Sequence, residues 1–520
     1  MIQNESRAGC PIPFPSDPGA SSGASSRRKA RHRIERSSTK RKISFAVAIT
    51  VGAATLIPLA LPASAQRGEA ASGIIWKPCT DTPSIQCGTL TLPVDRRKPA
   101  KTFDMAVARH QATNSAERLG VLFINPGGPG ASGVNFVSTA MDVFPAKILE
   151  RFDIVGFDPR GIGASQPIMC GNAAVLEAPR SQAEFQRLTN ANLALRQDCR
   201  NRNGSLFDHA DTLNVVQDMD ALRAALGEKK INYYGISYGT LIGQQYAQKY
   251  GKHVRSMVLD SNMDHSLTAQ DLAATSASAV EDSLKKFARW CEVTPVCALH
   301  GRKVLPHWNK LLAAADRGQL LTKEGDSVSE YDVLTEAYSD LADAKWSELA
   351  AWLEPLRIGD ADRKPSPASP DNRQDGQPDL NGRLAVFCQD WNLPIRNYHD
   401  WKTLVDAERA AAPHARYSTE MREALLGCIG WPQHVNNPQR PLRLGHDAPT
   451  ILLINSHHDS TTGHTWASGV NRQAPQKTRL LTYEGSGHGA YHRSKCTRAA
   501  VDAYLLKGKL PQQGATCPAE

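Results

Sequence analysis

The 520-residue chain contains no C-x2-C pair and no closely spaced Cys/His set. A structural zinc site needs such clustered ligands, so that class is excluded and no metal is expected. No unit recurs at a fixed period, which excludes a repeat architecture. There is no basic helix and no stripe of alternating basic and aromatic residues. The formal net charge of +9 would suggest an anionic partner if it were spread over the whole chain. It is not: the first 65 residues carry ten Lys/Arg against three Asp/Glu, and the rest carry 51 against 49. A nearly neutral body gives no footing for nucleic acid, and none is expected as a partner.

The charge that is present describes a leader. Arg27, Arg28, Lys29, Arg31, Arg33, Arg36, Lys40, Arg41 and Lys42 precede an apolar run over 43–61, and Ala63-Ser64-Ala65 follows it. This is the order of a signal peptide, with cleavage expected before Gln66 and residues 1–65 removed. The competing reading is a single membrane anchor, since the run is just long enough to span. Pro58, Pro62 and the small residues favour processing, hence a secreted protein with no stable membrane association. Arg27-Arg28 raises a twin-arginine export route. Cysteine usage fits export: Cys10 falls in the leader and ten remain. An oxidising compartment would join them as disulfides. Sequence neighbours make the simplest pairs: Cys79 with Cys87, Cys170 with Cys199, Cys291 with Cys297, Cys388 with Cys428, and Cys496 with Cys517. Counting alone leaves the connectivity open.

Past the leader, 86–93 and 103–110 read as strands joined by a turn-rich 95–101. Residues 120–124 (GVLFI) form a continuous apolar run, as in a strand buried on both faces. Strands follow at 152–158, 231–234 and 256–260, alternating with helical patterns at 211–226 and 240–250. After a largely helical stretch over 265–445, alternation resumes with strands at 450–455 and 479–483 and a helix at 497–506. The expected fold class is therefore α/β: a mostly parallel sheet (66–264 and 446–520) interrupted by a mainly helical cap (265–445). Within the cap, 359–382 is rich in Pro, Asp, Arg and Gln and reads as a mobile loop.

Gly235-Ile236-Ser237-Tyr238-Gly239 matches G-x-S-x-G between a strand and a helix, the context of a nucleophile elbow. A serine hydroxyl needs a base. In this fold an acid and then a histidine follow in chain order. Asp459 and His488 both stand after apolar strands, where catalytic groups gather in open α/β sheets. The expected triad is Ser237, Asp459 and His488. His457, His458, His464 and His492 are rivals, and His457 and His492 read as solvated loop residues. The expected oxyanion donors are the backbone N–H groups of Gly128 and Tyr238. Residues 128–133 also fit G-x-G-x-x-G, but Pro126 and Pro129 remove amides a pyrophosphate would need. No cofactor is expected, and Asp158-Pro159-Arg160-Gly161-Ile162-Gly163 reads as a supporting turn.

The motifs NPGGPG, DPRGIGAS, INYYGISYGT, the Asp459 loop and GSGHG together resemble the secreted tripeptidyl aminopeptidases of actinobacteria. These are α/β-hydrolase serine exopeptidases related to prolyl aminopeptidases. The resemblance runs from about Trp76 to Cys517, and the last stretch is similar to the family's C-terminal segment. It implies a cap that binds the free amino terminus of a peptide substrate, with a short N-terminal peptide, a tripeptide, released. Such a cap requires an acidic anchor, for which Glu354 and Asp390 are candidates. The family usually carries a Gly/Asp-Pro-type loop around its acid. Here it reads Asn455-Ser456-His457-His458-Asp459-Ser460-Thr461-Thr462. A carboxylesterase or lipase using the same triad is the alternative and needs no anchor.

Overall fold

The computed structural model describes residues 73–171, 177–359, 378–432 and 434–520. The expected leader over 1–65 and its expected cleavage site lie outside the described residues.

Strands β1 (Lys77–Pro78), β2 (Gln86–Asp95), β3 (Lys98–His110), β4 (Val121–Asn125), β5 (Asp153–Phe157), β6 (Ile231–Ile236) and β7 (Val254–Asp260) precede the helical segment. That segment carries the short pair β8 (Leu320–Leu321) and β9 (Arg357–Ile358); β10 (Ile451–His458), β11 (Thr478–Ser486) and β12 (Thr516–Cys517) follow it. Ten of these form one sheet in the order β1-β2-β3-β5-β4-β6-β7-β10-β11-β12. The first three strands and the β3–β5 pairing are antiparallel, and every pairing from β5 to β12 is parallel.

Apolar alternation explains why the central strands need helices on both faces. Val121 and Phe123 of β4 pack with Tyr233, Met257 and Leu259 on one face. Leu122 and Ile124 pack with Tyr234, Val258 and Leu452 on the other. Helices α1 (Gly133–Val143), α2 (Ala146–Arg151), α3 (Gln182–Asn203), α4 (Ser205–Asp208), α5 (Thr212–Ala225) and α6 (Tyr238–Tyr250) come before the chain leaves the sheet. It leaves after β7 and returns at β10. Between them run α7 (Ala269–Val293), α8 (Val304–Asp316), α9 (Glu330–Asp343), α10 (Trp346–Leu353), α11 (Pro378–Asp390), α12 (Tyr398–Ala411) and α13 (Thr419–Cys428). Helices α14 (His464–Gln473) and α15 (Lys495–Lys507) complete the second part of the sheet. Val137 of α1 and Val501 of α15 cover one face; Met219 of α5, Tyr246 of α6 and Val470 of α14 cover the other.

Three expectations shift. The hairpin between β2 and β3 is tighter than the turn-rich 95–101 implied, because Asp95 already pairs with Lys98 and only Arg96-Arg97 make the turn. The loop expected over 359–382 lies mostly outside the described residues, and its end from 378 onward belongs to α11. Strand β10 continues to His458, past the expected 455, because His457 and His458 each find a carboxylate partner. Among the described residues no helix is long and apolar enough to cross a membrane.

The cysteines pair with their sequence neighbours. Cys79 is bonded to Cys87, with Cα atoms 5.0 Å apart, and ties the first strand to the second. Cys170 is bonded to Cys199 of α3 at a Cα separation of 4.5 Å. Cys291 at the end of α7 is bonded to Cys297 in the turn that follows, at 5.2 Å. Cys388 of α11 meets Cys428 of α13 at 5.3 Å, and Cys496 of α15 meets Cys517 of β12 at 5.6 Å. The connectivity that counting left open is thus the local one. These residues are crosslinks of the scaffold: none of Cys79, Cys87, Cys170, Cys199, Cys291, Cys297, Cys388, Cys428, Cys496 and Cys517 lines the cavity beside Ser237.

The turn after β5 is a buried electrostatic tie. Arg160 and Asp218 are 0% and 1% exposed and pair bidentately at 2.7 and 2.8 Å. Arg160 also donates to the carbonyl of Val94 at 2.7 Å, joining the hairpin to α5. Asp158 accepts Ser132 Oγ at 2.6 Å and the amides of Val134 and Ala164, fixing the start of α1. Removing one partner of a buried pair strands the other charge. Asp218→Ala is therefore expected to lower unfolding stability by about 3–5 kcal/mol. Denaturant titration checks this, and a loss under about 1 kcal/mol would show that water reaches Arg160.

Candidate active site

Strand β6 ends at Ile236 and α6 begins at Tyr238, so Ser237 alone turns the chain. It does so at φ 57° and ψ −127°, in a region side-chain-bearing residues avoid. The flanking glycines permit this. A Cβ on Gly235 would lie 2.6 Å from the Gly239 carbonyl oxygen, and one on Gly239 would lie 2.7 Å from that of Asn125. The loop after β4 presses on the same turn: a Cβ on Gly127 would stand 2.5 Å from the Ile236 carbonyl oxygen and 2.8 Å from the Ser237 Cβ. The Gly127 amide is committed to Asn125 Oδ1 at 3.0 Å, whereas Gly128 lines the cavity beside Ser237 and Tyr238.

Strand register brings the remaining groups to the same edge. Ile236 lies opposite Asp260, and Asp260 opposite Ile454. The Ser237 amide donates to the Asp260 carbonyl at 3.0 Å. Asp459 directly follows β10, and His488 stands two residues past β11. The Asp459 carboxylate is fully buried, with Oδ2 3.4 Å from His488 Nδ1. The same oxygen accepts the Ser261 hydroxyl at 2.8 Å. His488 Nε2 is buried with no hydrogen-bond partner among the described residues. Burial holds the His488 imidazole well below its ordinary range, and the neighbouring Arg493 and His492 act in the same direction. Burial pushes Asp459 well above the usual carboxylate range, opposed by the Ser261 hydroxyl and Arg493.

The rival histidines on β10 and α14 are committed elsewhere. His457 Nδ1 meets Glu484 at 2.6 Å, His458 Nδ1 meets Asp282 at 2.9 Å, and His464 Nε2 meets Thr482 Oγ1 at 2.7 Å. His457 is thus a half-buried, paired strand residue and not a solvated loop histidine. Among the described residues no group of three or more His, Cys, Asp or Glu could hold a metal ion.

Neither expected amine anchor faces the cavity. Glu354 is exposed and paired with Arg302 at 3.2 Å. Asp390 is completely buried beneath Tyr238. It accepts the Tyr238 hydroxyl at 2.7 Å, Thr212 through its amide at 2.9 Å and its hydroxyl at 2.5 Å, and Asn437 at 2.8 Å. Burial, then the charge of Asp211, pushes its carboxyl up to about 7. The carboxylate that does line the cavity is Glu420 of α13, beside Arg383 of α11. Glu420 accepts the Tyr338 hydroxyl at 2.6 Å and lies 3.7 Å from Arg383 Nη1. Met263, Phe387, Met421, Ala424 and Trp466 supply the apolar wall. Sequence reasoning missed Glu420 because it sits on an ordinary helical stretch with no motif around it.

A strained serine between a buried parallel strand and a helix, at the sheet edge that gathers an acid and an imidazole, defines the α/β-hydrolase class. Comparison with known proteins agrees. Residues 120–327 match the family described as alpha/beta hydrolase fold, and residues 412–517 match the TAP-like protein family. The tripeptidyl aminopeptidase of Streptomyces lividans is 32% identical, over 88% of each chain. Serine protease Hip1 of Mycobacterium tuberculosis is 30% identical, over 85% of this chain and 90% of its own. Carboxylesterase B of the same species is 31% identical, over 85% of this chain and 89% of its own. The chain belongs to this TAP-like family of α/β-hydrolases and is a serine hydrolase.

Because Asp390 satisfies donors under Tyr238 and does not reach the cavity, Asp390→Asn is expected to cost about 1–3 kcal/mol of stability by placing a donor against donors. Unfolding measurements check the cost. Steady-state kinetics should show no selective loss on free-amine over blocked peptides; a selective loss would return Asp390 to the anchor role.

Proposed function

We propose that the protein is a secreted serine aminopeptidase that releases short N-terminal peptides, tripeptides, through an acyl-enzyme. The observation that carries this reading is the convergence of Ser237 and the His488–Asp459 pair on one sheet edge, beside a cavity containing a carboxylate.

In this mechanism His488 Nε2 takes the proton of Ser237 Oγ as the hydroxyl attacks the scissile carbonyl. Asp459 holds the Nδ1 proton and stabilises the imidazolium. The amides of Gly128 and Tyr238 receive the oxyanion; one such donor contributes roughly 3 kcal/mol to the transition state. The commitment of the Gly127 amide to Asn125 supports Gly128 as the donor from that loop. His488 then protonates the leaving amine, and water attacks the acyl-enzyme by the reverse proton path.

Glu420 replaces Glu354 and Asp390 as the anchor for the substrate ammonium. Arg383 lies 3.7 Å from Glu420 and 3.6 Å from Glu423, so the cluster of two carboxylates and one guanidinium keeps one net negative charge. A free amino terminus would complement it. Secretion is supported by the leader and by five disulfides. A carboxylesterase is the second reading, favoured by the apolar cavity wall and by the 31% identity to carboxylesterase B.

Chromogenic tripeptides with free or acetylated amino termini, assayed beside a short-chain ester, separate the two. A preference for the free amine that collapses in Glu420→Gln is expected. Equal rates on free and blocked peptides would favour the esterase. Ser237→Ala should lower kcat by about five to six orders of magnitude with the fold intact, as measured by turnover and circular dichroism.

The pH profile follows from His488. The neutral imidazole is the active base, and a lowered pKa keeps it neutral to lower pH. The acid limb of kcat/KM is expected to have its midpoint below 6.5, with activity lost as pH falls through it. A midpoint above 6.5 would contradict the burial of the His488 imidazole.

A further inference from the structure

Residue 261 is one of few non-glycine residues with positive φ, at 62°, and it is completely buried. It follows β7 directly, one strand away from the nucleophile and one from the acid. Strain at such a position calls for a reason, because a glycine would adopt this backbone freely. The contacts of Ser261 supply one. Its hydroxyl donates to Asp459 Oδ2 at 2.8 Å and accepts the Gly489 amide at 3.1 Å. Asp260 accepts the next two amides, Ala490 at 2.8 Å and Tyr491 at 3.0 Å, and the Tyr234 hydroxyl at 2.8 Å. Two adjacent residues at the end of β7 thus hold three consecutive amides directly after His488, and one of them also holds the acid. Both Asp260 oxygens are committed, so Asp260 is a brace and not a second candidate acid.

We propose that Ser261 is a positioning residue: its hydroxyl fixes the Asp459 carboxylate and the His488 loop in register with each other, with Asp260 as the rigid base. The inference rests on the triad reading above. Asp459 Oδ1 has no partner among the described residues, so the Ser261 hydroxyl is the only side-chain hydroxyl or amide there that donates to this carboxylate. Without that donation Oδ2 has no second donor to hold its angle toward His488. The imidazole is then free to leave the orientation that its Nδ1 contact with Asp459 sets.

Two substitutions separate the hydroxyl from the backbone. Ser261→Gly removes the hydroxyl and relieves the positive φ, whereas Ser261→Ala removes the hydroxyl and keeps the strain. The proposal expects both to lower kcat by about tenfold to a hundredfold with KM unchanged. Ser261→Gly should do so while holding or raising Tm relative to Ser261→Ala. Both should move the acid limb of the kcat profile to higher pH, because a carboxylate that loses a donor binds its proton, and the imidazolium beside it, more tightly. The charged and titratable groups facing the pair are Asp260, Arg493 and His492; both variants keep all three and remove alike the long 3.4 Å contact of the Ser261 hydroxyl with Asp260 Oδ1. Wild-type kcat and pH profile in Ser261→Gly would overturn the proposal and leave Ser261 as a packing residue. Ser237→Ala runs beside them: if it stays active, the triad reading itself fails, whereas an inactive Ser237→Ala with a fully active Ser261→Gly rejects the positioning role alone.

Discussion

The passage from β6 into α6 in a single residue is the constraint on which the rest depends. A strand that ends at Ile236 and a helix that starts at Tyr238 leave no room for a loop. Ser237 is therefore forced to positive φ, and its side chain is pushed out at the sheet edge. The strain persists because the surroundings over-determine it. Gly235, Gly239 and Gly127 let three backbone segments approach to distances no side chain would allow. Tyr238 is tied down from below by Asp390.

Around that point the protein keeps charge in a dry environment and satisfies it with fixed donors. Asp260, Asp390 and Asp459 are all fully buried, and burial raises the carboxyl of each. Asp260 and Asp390 have every oxygen engaged and serve as structural acceptors. Of the three, Asp459 alone has an oxygen with no partner among the described residues, and an imidazole neighbour. The helical segment joins this arrangement through backbone. The His488 amide donates to the Ala342 carbonyl at the end of α9 at 2.9 Å, and Arg493 bridges the carbonyls of Ala342 and His488. Helix α9 also carries Tyr338, whose hydroxyl reaches Glu420 in the cavity. One helix therefore touches both the segment that carries the imidazole and the carboxylate proposed to bind substrate.

Much of this is legible in the sequence. The continuous apolar run over 120–124 fits a parallel strand covered on both faces, and G-x-S-x-G between a strand and a helix is the context of a nucleophile elbow. The even count of ten cysteines points to disulfides but not to their pairing, which the structure sets as the local one, as between Cys291 and Cys297. What escaped was set by distant contacts. His457 and His458 extend β10 because Glu484 and Asp282 meet them there, and neither partner is near in sequence. Glu420 and Tyr338 are 82 residues apart and meet only because α9 and α13 pack together. Ser261 carries no motif, and its importance shows only in φ and in contacts 198 and 228 residues away.

The most direct test of the central claim is active-site labelling with a fluorophosphonate, mapped by peptide mass spectrometry. One adduct per chain is expected, on Ser237, with complete loss of hydrolysis at full labelling and much slower labelling in His488→Ala. Adduct on another residue, or hydrolysis that survives complete modification of Ser237, would contradict that claim.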